Sequence, residues 1–134
     1  MSAEKPTRAK AKAKAKCLMV RLPLHTVSEA NRRDHWAVKC ARTKTLRETA
    51  HLMVWSALRK YRVGPPPWTV TLTRIGPRKL DPDNLTGALK AVQDGVADAL
   101  GKDDGSDAYE WRWEQVRGDA GEYAVLVSIL GEEP

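Results

Sequence analysis

Asp81 and Asp83 flank a single proline in the segment Leu80-Asp81-Pro82-Asp83-Asn84-Leu85. Two carboxylates at this spacing are candidate ligands for a hard cation. In an extended stretch, side chains at i and i+2 point the same way, so the two carboxylates are expected to converge. Pro82 biases Asp81 toward extended backbone. A helix starting here favours negative charge at its first turn and keeps both groups ionised. Oxygen ligands on a stiff turn suit Mg²⁺. The plain alternative is that Asp83 is an ordinary N-cap.

The elements around this turn can be read from periodicity. Cys17 to Leu24 alternates and is rich in Leu, Met and Val, which predicts a first strand closed by Pro23. A polar loop from His25 to Asp34 follows, with Ser28 or Asn31 as candidate caps for the next element. Asp34 to about Arg62 reads as a long helix. Leu46, Ala50, Met53, Ala57 and Tyr61 share its apolar face, and Trp36 and Cys40 extend the stripe upstream. Gly64-Pro65-Pro66-Pro67 stops it. Trp68 to Ile75 is β-branched and alternating, a second strand. Asp83 to Leu100 reads as a second helix with Gly101 as its C′ residue. Ala108 to Arg117 and Glu122 to Leu130 read as strands, joined as a hairpin by Gly118-Asp119-Ala120-Gly121. The order β-α-β-α-β-β predicts one α+β domain, a mixed sheet with two main helices packed on it.

The second helix carries further candidates. At about 100° per residue, Leu85, Leu89, Val92, Val96 and Leu100 share one face, while Asp83, Gly87, Lys90 and Asp94 share another line. An ammonium at Lys90, two turns above Asp83, would neutralise a phosphate. The alternative is a solvated Lys90–Asp94 i,i+4 pair. Gly87 removes a side chain between them, leaving room for backbone or DNA to approach. Asp103 and Asp104 follow the helix in Lys102-Asp103-Asp104-Gly105. They are either turn residues or a third carboxylate brought back to Asp81 and Asp83, giving a site for one or two metal ions. An EF-hand does not fit, because Leu85 and Thr86 occupy loop positions 5 and 6. A D-x-D phosphatase fits poorly, because Gly76-Pro77-Arg78-Lys79 separates the aspartates from the preceding strand.

Charge distribution points toward nucleic acid. Residues 1–16 hold six cations against Glu4, a net of +5 out of the chain's +6. Their Ala-Lys alternation cannot build a core, so they read as a disordered basic arm preceding a domain over 17–134. The arm is either a phosphate-attracting tail or a solubilising one. In the rest of the chain, positive charge is local. Asn31, Arg32 and Arg33 in the first loop, Lys39, Arg42, Lys44 and Arg47 on the first helix, and Arg78 and Lys79 beside the carboxylates form a candidate DNA-facing surface. A solvated charged helix is the competing reading. His35 reads as structural. Trp111 and Trp113 share a strand face, as core or interface residues.

A chain of 134 residues buries a core without disulfides or a structural metal. Cys17 and Cys40 lack zinc-finger spacing and read as free thiols of a reducing compartment. No apolar run reaches the ~20 residues of a membrane span, and no h-region follows the basic start. The expectation is a soluble, cytoplasmic protein.

Taken together, Leu80 to Leu85, Lys90, Asp94 and Gly101-Lys102-Asp103-Asp104-Gly105 resemble the RusA-type Holliday junction resolvases, often carried by phages and prophages, over about residues 18–131. The element order and the Asn-Arg loop agree. The resemblance implies a homodimer that binds four-way junctions and nicks them in pairs in a bacterial or phage-infected cell. It implies Mg²⁺, with Mn²⁺ as a substitute, and no small-molecule cofactor or membrane partner. Asp81, Asp83 and one of Asp103 or Asp104, with Asp104 favoured, would be the metal-binding catalytic residues. The family's helical lysine sits three residues after the D-N asparagine, where this chain has Gly87; Lys90 is one turn later and would take its place. Two other readings are a DNA-binding module without chemistry and a metal-dependent phosphohydrolase of small substrates.

Overall fold

The computed structural model describes residues 17–28 and 35–132. The elements are β1 (Cys17–Leu22), α1 (Trp36–Lys60), β2 (Trp68–Gly76), α2 (Pro82–Leu100), β3 (Tyr109–Arg117) and β4 (Ala124–Leu130). Their order is the one expected, and they form a single α+β domain. The basic arm, Asn31, Arg32 and Arg33 lie outside the described residues. No helix among the described residues is long and apolar enough to cross a membrane.

The sheet order is β1-β4-β2-β3. β2 and β3 are parallel, while β4 lies antiparallel between β1 and β2. The expected β3–β4 hairpin does not form. The two strands flank β2 on opposite sides, and the connection crosses the end of β2, with Gly118 N–H donating to the Gly76 carbonyl at 2.8 Å. A Cβ at Gly118 would lie 2.9 Å from Ile75 Cγ2, so this crossing requires glycine. Composition explains the placement. The sequence Ala-Val-Leu-Val-Ser-Ile-Leu suits a central strand, whereas Tyr-Glu-Trp-Arg-Trp-Glu-Gln-Val-Arg carries the charges that protect an edge.

Both helices contribute to one core against the sheet. Val70, Leu72, Val125, Val127 and Ile129 meet Leu46, Ala50 and Val54 of α1 and Leu85, Leu89, Val92 and Val96 of α2. Full burial of each such side chain stabilises the fold by about 1.5–3 kcal/mol. Gly95 permits the close crossing of the helices, because a Cβ there would lie 2.3 Å from the Arg47 carbonyl. The Arg47 guanidinium bridges the same crossing to Asp98, at 2.7 and 3.0 Å.

Several local expectations need correction. α1 starts at Trp36 and Ser28 does not cap it, while Asn31 and Asp34 lie outside the described residues. The N-cap is His35, whose Nδ1 accepts from Ala37 N–H at 3.2 Å. The buried stripe of α1 begins at Leu46; Trp36 is 76% exposed and Cys40 is exposed. Tyr61 falls beyond the helix in extended backbone.

Candidate functional site

Asp81 is the N-cap of α2, with φ −61° and ψ 155°, and Pro82 fills the first helical turn. Proline at this point loses no hydrogen bond, since the first N–H groups of a helix have no internal partner. The N-cap is therefore Asp81, and Asp83 is already helical. Strand-like alternation does not align the two, because extended backbone ends at Asp81. The Asp81 carboxylate makes no capping bond. Asp81, Pro82 and Asp83 are all exposed. Two acidic groups thus sit together at a positive helix end, with the Asp81 oxygens not engaged in the cap.

The turn is held from β3. Gln115 accepts from Leu80 N–H at 2.8 Å and donates to the Leu80 carbonyl at 2.7 Å. One side chain therefore satisfies both backbone groups of the residue before Asp81, which no spacing in the sequence suggested. The available signal was parity. Tyr109, Trp111, Trp113 and Gln115 share one face of β3, and an amide at the end of an aromatic row calls for a polar partner.

A second cluster lies two turns up α2. Lys90 forms an ion pair with Asp94 at 3.0 Å and a short hydrogen-bonded pair with Asp104. Gln93 donates to Asp104 at 3.4 Å. The Asp104 backbone carbonyl accepts from the Trp111 indole at 2.8 Å, and Trp113 donates to Gln93 at 3.2 Å. The Tyr109 hydroxyl donates to the Lys102 carbonyl at 2.9 Å, and burial pushes its pKa up to about 12. The aromatic row of β3 therefore fixes the turn that carries Asp104. Trp111 is half-buried against the core, whereas Trp113 is 37% exposed. The hydrogen bond from Lys90 holds the Asp104 carboxyl below its ordinary range, and the same bond raises the Lys90 pKa. Asp103 is exposed beside this cluster.

The wheel reading of α2 placed Asp83, Gly87, Lys90 and Asp94 on one line. Gly87, Lys90 and Asp94 line a groove of about 320 Å³ with Lys39 and Thr43 of α1. Lys39 thus joins the α2 side chains, while Lys44 pairs with Glu48 at 3.9 Å and Arg47 is engaged by Asp98. Arg42 is half-buried on α1. Among the described residues, no atom beyond its own helical turns lies within 4 Å of a Cβ built on Gly87, so no other backbone approaches it there. Seven residues separate Asp83 from Lys90, a rise of about 10 Å. Asp104 accordingly sits beside Lys90 rather than beside Asp81 and Asp83. Among the described residues no group of three His, Cys, Asp or Glu side chains converges as a metal site.

The pair Asp81 and Asp83 still fits Mg²⁺, which keeps several waters and binds through one or two carboxylates. Arg78 and Lys79, both exposed, precede the pair and line a cleft of about 560 Å³ with Arg117. Arg74, absent from the candidates above, is buried at the inner face of β2. Its parity with Val70 and Leu72 was the signal: a cation at a core-facing strand position.

No protein-family model matches the chain, and no curated protein matches its sequence.

Proposed function

We propose that the chain is a Mg²⁺-dependent endodeoxyribonuclease of branched DNA, acting as a homodimer on four-way junctions. The observation that carries this reading is the exposed Asp81-Pro82-Asp83 turn beside a basic cleft. Its first carboxylate is not used for capping, and its backbone is clamped by Gln115. A small-substrate hydrolase needs no extended positive surface.

In this mechanism Asp81 and Asp83 hold the cation. When bound, Mg²⁺ supplies Lewis-acid activation of water and neutralises charge on the phosphodiester. Arg78, Lys79 and Arg117 bind the backbone and orient the strand across the carboxylates. Lys90 is a protonated ammonium on the same helix line, held toward the groove by Asp94 and Asp104. A phosphate entering there would exchange with those carboxylates. Asp104, two turns along the helix from that pair, positions Lys90 rather than joining Asp81 and Asp83. Hydrolysis requires a donor to the leaving oxygen, and Lys90 is the cation that α2 offers for it.

The Lys90–Asp104 pair also favours a second reading, a DNA-binding module without chemistry, because it satisfies both groups without a metal. Cleavage of a labelled synthetic four-way junction, with and without Mg²⁺, separates the two. Paired Mg²⁺-dependent nicks by the wild type that vanish in Asp83→Asn, with junction binding retained, are expected. Tight binding without cleavage would select the binding module.

A further inference from the structure

The loop after β1, the end of β2 and the β3–β4 crossing enclose a cleft of about 450 Å³, lined by His25, Thr26, Ser28, Arg74, Arg78 and Tyr123 among others. Arg74 is only 5% exposed. Its Nε donates to Thr26 Oγ1 at 3.2 Å, and its terminal nitrogens donate to the Arg78 carbonyl at 2.7 Å and the Thr26 carbonyl at 3.5 Å. All three acceptors are neutral. No ion pair among the described residues includes Arg74.

A guanidinium has five N–H donors and does not deprotonate in proteins. Three of the five are engaged here, and the charge has no counter-charge among the described residues. Burying a cation in that state is unfavourable unless something else compensates it. Gly76 accommodates the group, since a Cβ there would lie 2.7–2.8 Å from the guanidinium atoms. A second group lies in the same cleft: Ser28 Oγ is buried and has no hydrogen-bond partner among the described residues. Unsatisfied buried hydroxyls are uncommon in folded proteins. Two open guanidinium donors, an unpaired hydroxyl and a cation with no anion among the described residues match the recognition chemistry of a phosphate.

We propose that this cleft seats a phosphodiester of the DNA backbone, next to the one positioned at Asp81 and Asp83, with Arg74 and Ser28 as its donors. The cleft adjoins the Arg78-Lys79-Arg117 cleft through the shared Pro77 and Arg78. Leu80 lines it, one residue before Asp81. A strand anchored here therefore runs directly to the carboxylates. The assignment to DNA rests on the nuclease reading, whereas an anion seat at Arg74 does not.

The test uses the full chain. Thermal melting is followed in inorganic phosphate and in sodium chloride of equal ionic strength. The wild type is expected to gain a saturable increase in Tm in phosphate, reduced in Ser28→Ala and lost in Arg74→Met. Junction binding is then measured without Mg²⁺ across a salt series. Arg74→Met should weaken binding about tenfold and reduce the salt slope by about one phosphate contact, ~0.9 in log–log terms. If Arg74→Met does not fold, Ser28→Ala carries the test, because that hydroxyl has no partner among the described residues to lose. An absent phosphate response in the wild type, or a full response in both variants, overturns the seat. A phosphate response with unchanged junction binding overturns DNA as its ligand. Arg74-dependent junction binding by a protein that never cleaves leaves the seat standing and removes the nuclease reading.

Discussion

Gln115, near the end of β3, holds Leu80 by both of its backbone groups, at 2.8 and 2.7 Å across 35 residues of sequence. Through Leu80 it sets the start of α2 and the direction in which Asp81 leaves the sheet. Replacing it leaves a part-buried N–H and C=O unsatisfied, at a cost of about 1–3 kcal/mol each if water cannot reach them. Gln115→Leu is therefore expected to lower the urea midpoint and to reduce junction cleavage more than junction binding. Gln115→Glu keeps the acceptor but loses the donor, and should fall between the two. Equal loss of binding and cleavage would show that the clamp serves stability alone.

The two helical glycines of α2 should respond in opposite ways. Gly95→Ala forces a Cβ to within 2.3 Å of the Arg47 carbonyl and 2.8 Å of Ala50 Cβ. Helix separation is expected to cost about 1–3 kcal/mol. Gly87→Ala meets nothing within 4 Å and should gain up to about 1 kcal/mol from helix propensity. Denaturant titration of both variants gives the sign directly.

Gly87→Lys places an ammonium three residues after Asn84, the position at which the resemblance calls for one. The open space around Gly87 admits the side chain. Mg²⁺-dependent cleavage by this variant is expected to equal or exceed that of the wild type. If Lys90 already fills the role, Lys90→Ala should abolish cleavage and Gly87→Lys should restore it in the double variant. Failure of that rescue would remove lysine from the mechanism.

Acid stability follows from the two pairs anchored on α2. Lys90 depresses the Asp104 pKa, and Arg47 depresses that of Asp98. A carboxylate with a lowered folded pKa contributes stability that is fully present above its unfolded pKa, at about pH 4. That contribution is lost as pH falls through the folded value. The melting temperature should therefore decline below about pH 4, and less steeply in Asp104→Asn and Asp98→Asn. Both pairs are partly exposed, so the difference should shrink in high salt.

Deleting residues 1–16 removes six cations. Weaker junction affinity and a shallower dependence of log K on log salt are the expected results. An unchanged slope would show that the arm makes no phosphate contacts.

Element order, the α2 apolar face and the Asp81-Pro82-Asp83 turn were all legible in the chain. They depend on local periodicity, on proline and glycine at helix ends, and on carboxylates close in sequence. The α2 face holds at Leu85, Leu89, Val92 and Val96 because 3.6-residue spacing alone turns them the same way. Strand pairing was decided elsewhere. Gly118 to Gly121 carries hairpin residues, yet β3 joins β2 in parallel and β4 takes the centre, because the apolar strand is buried on both sides only there. The cap assignment likewise fell to Asp81, since Pro82 starts the helix one residue before the expected Asp83. Gln115 on Leu80, Arg74 on Thr26 and Lys90 on Asp104 join residues 35, 48 and 14 positions apart. Such contacts have no sequence spacing to announce them. They exist only once the tertiary fold sets Gln115 of β3 and the loop after β1 at the Arg74 end of β2, and the turn after α2 beside Lys90.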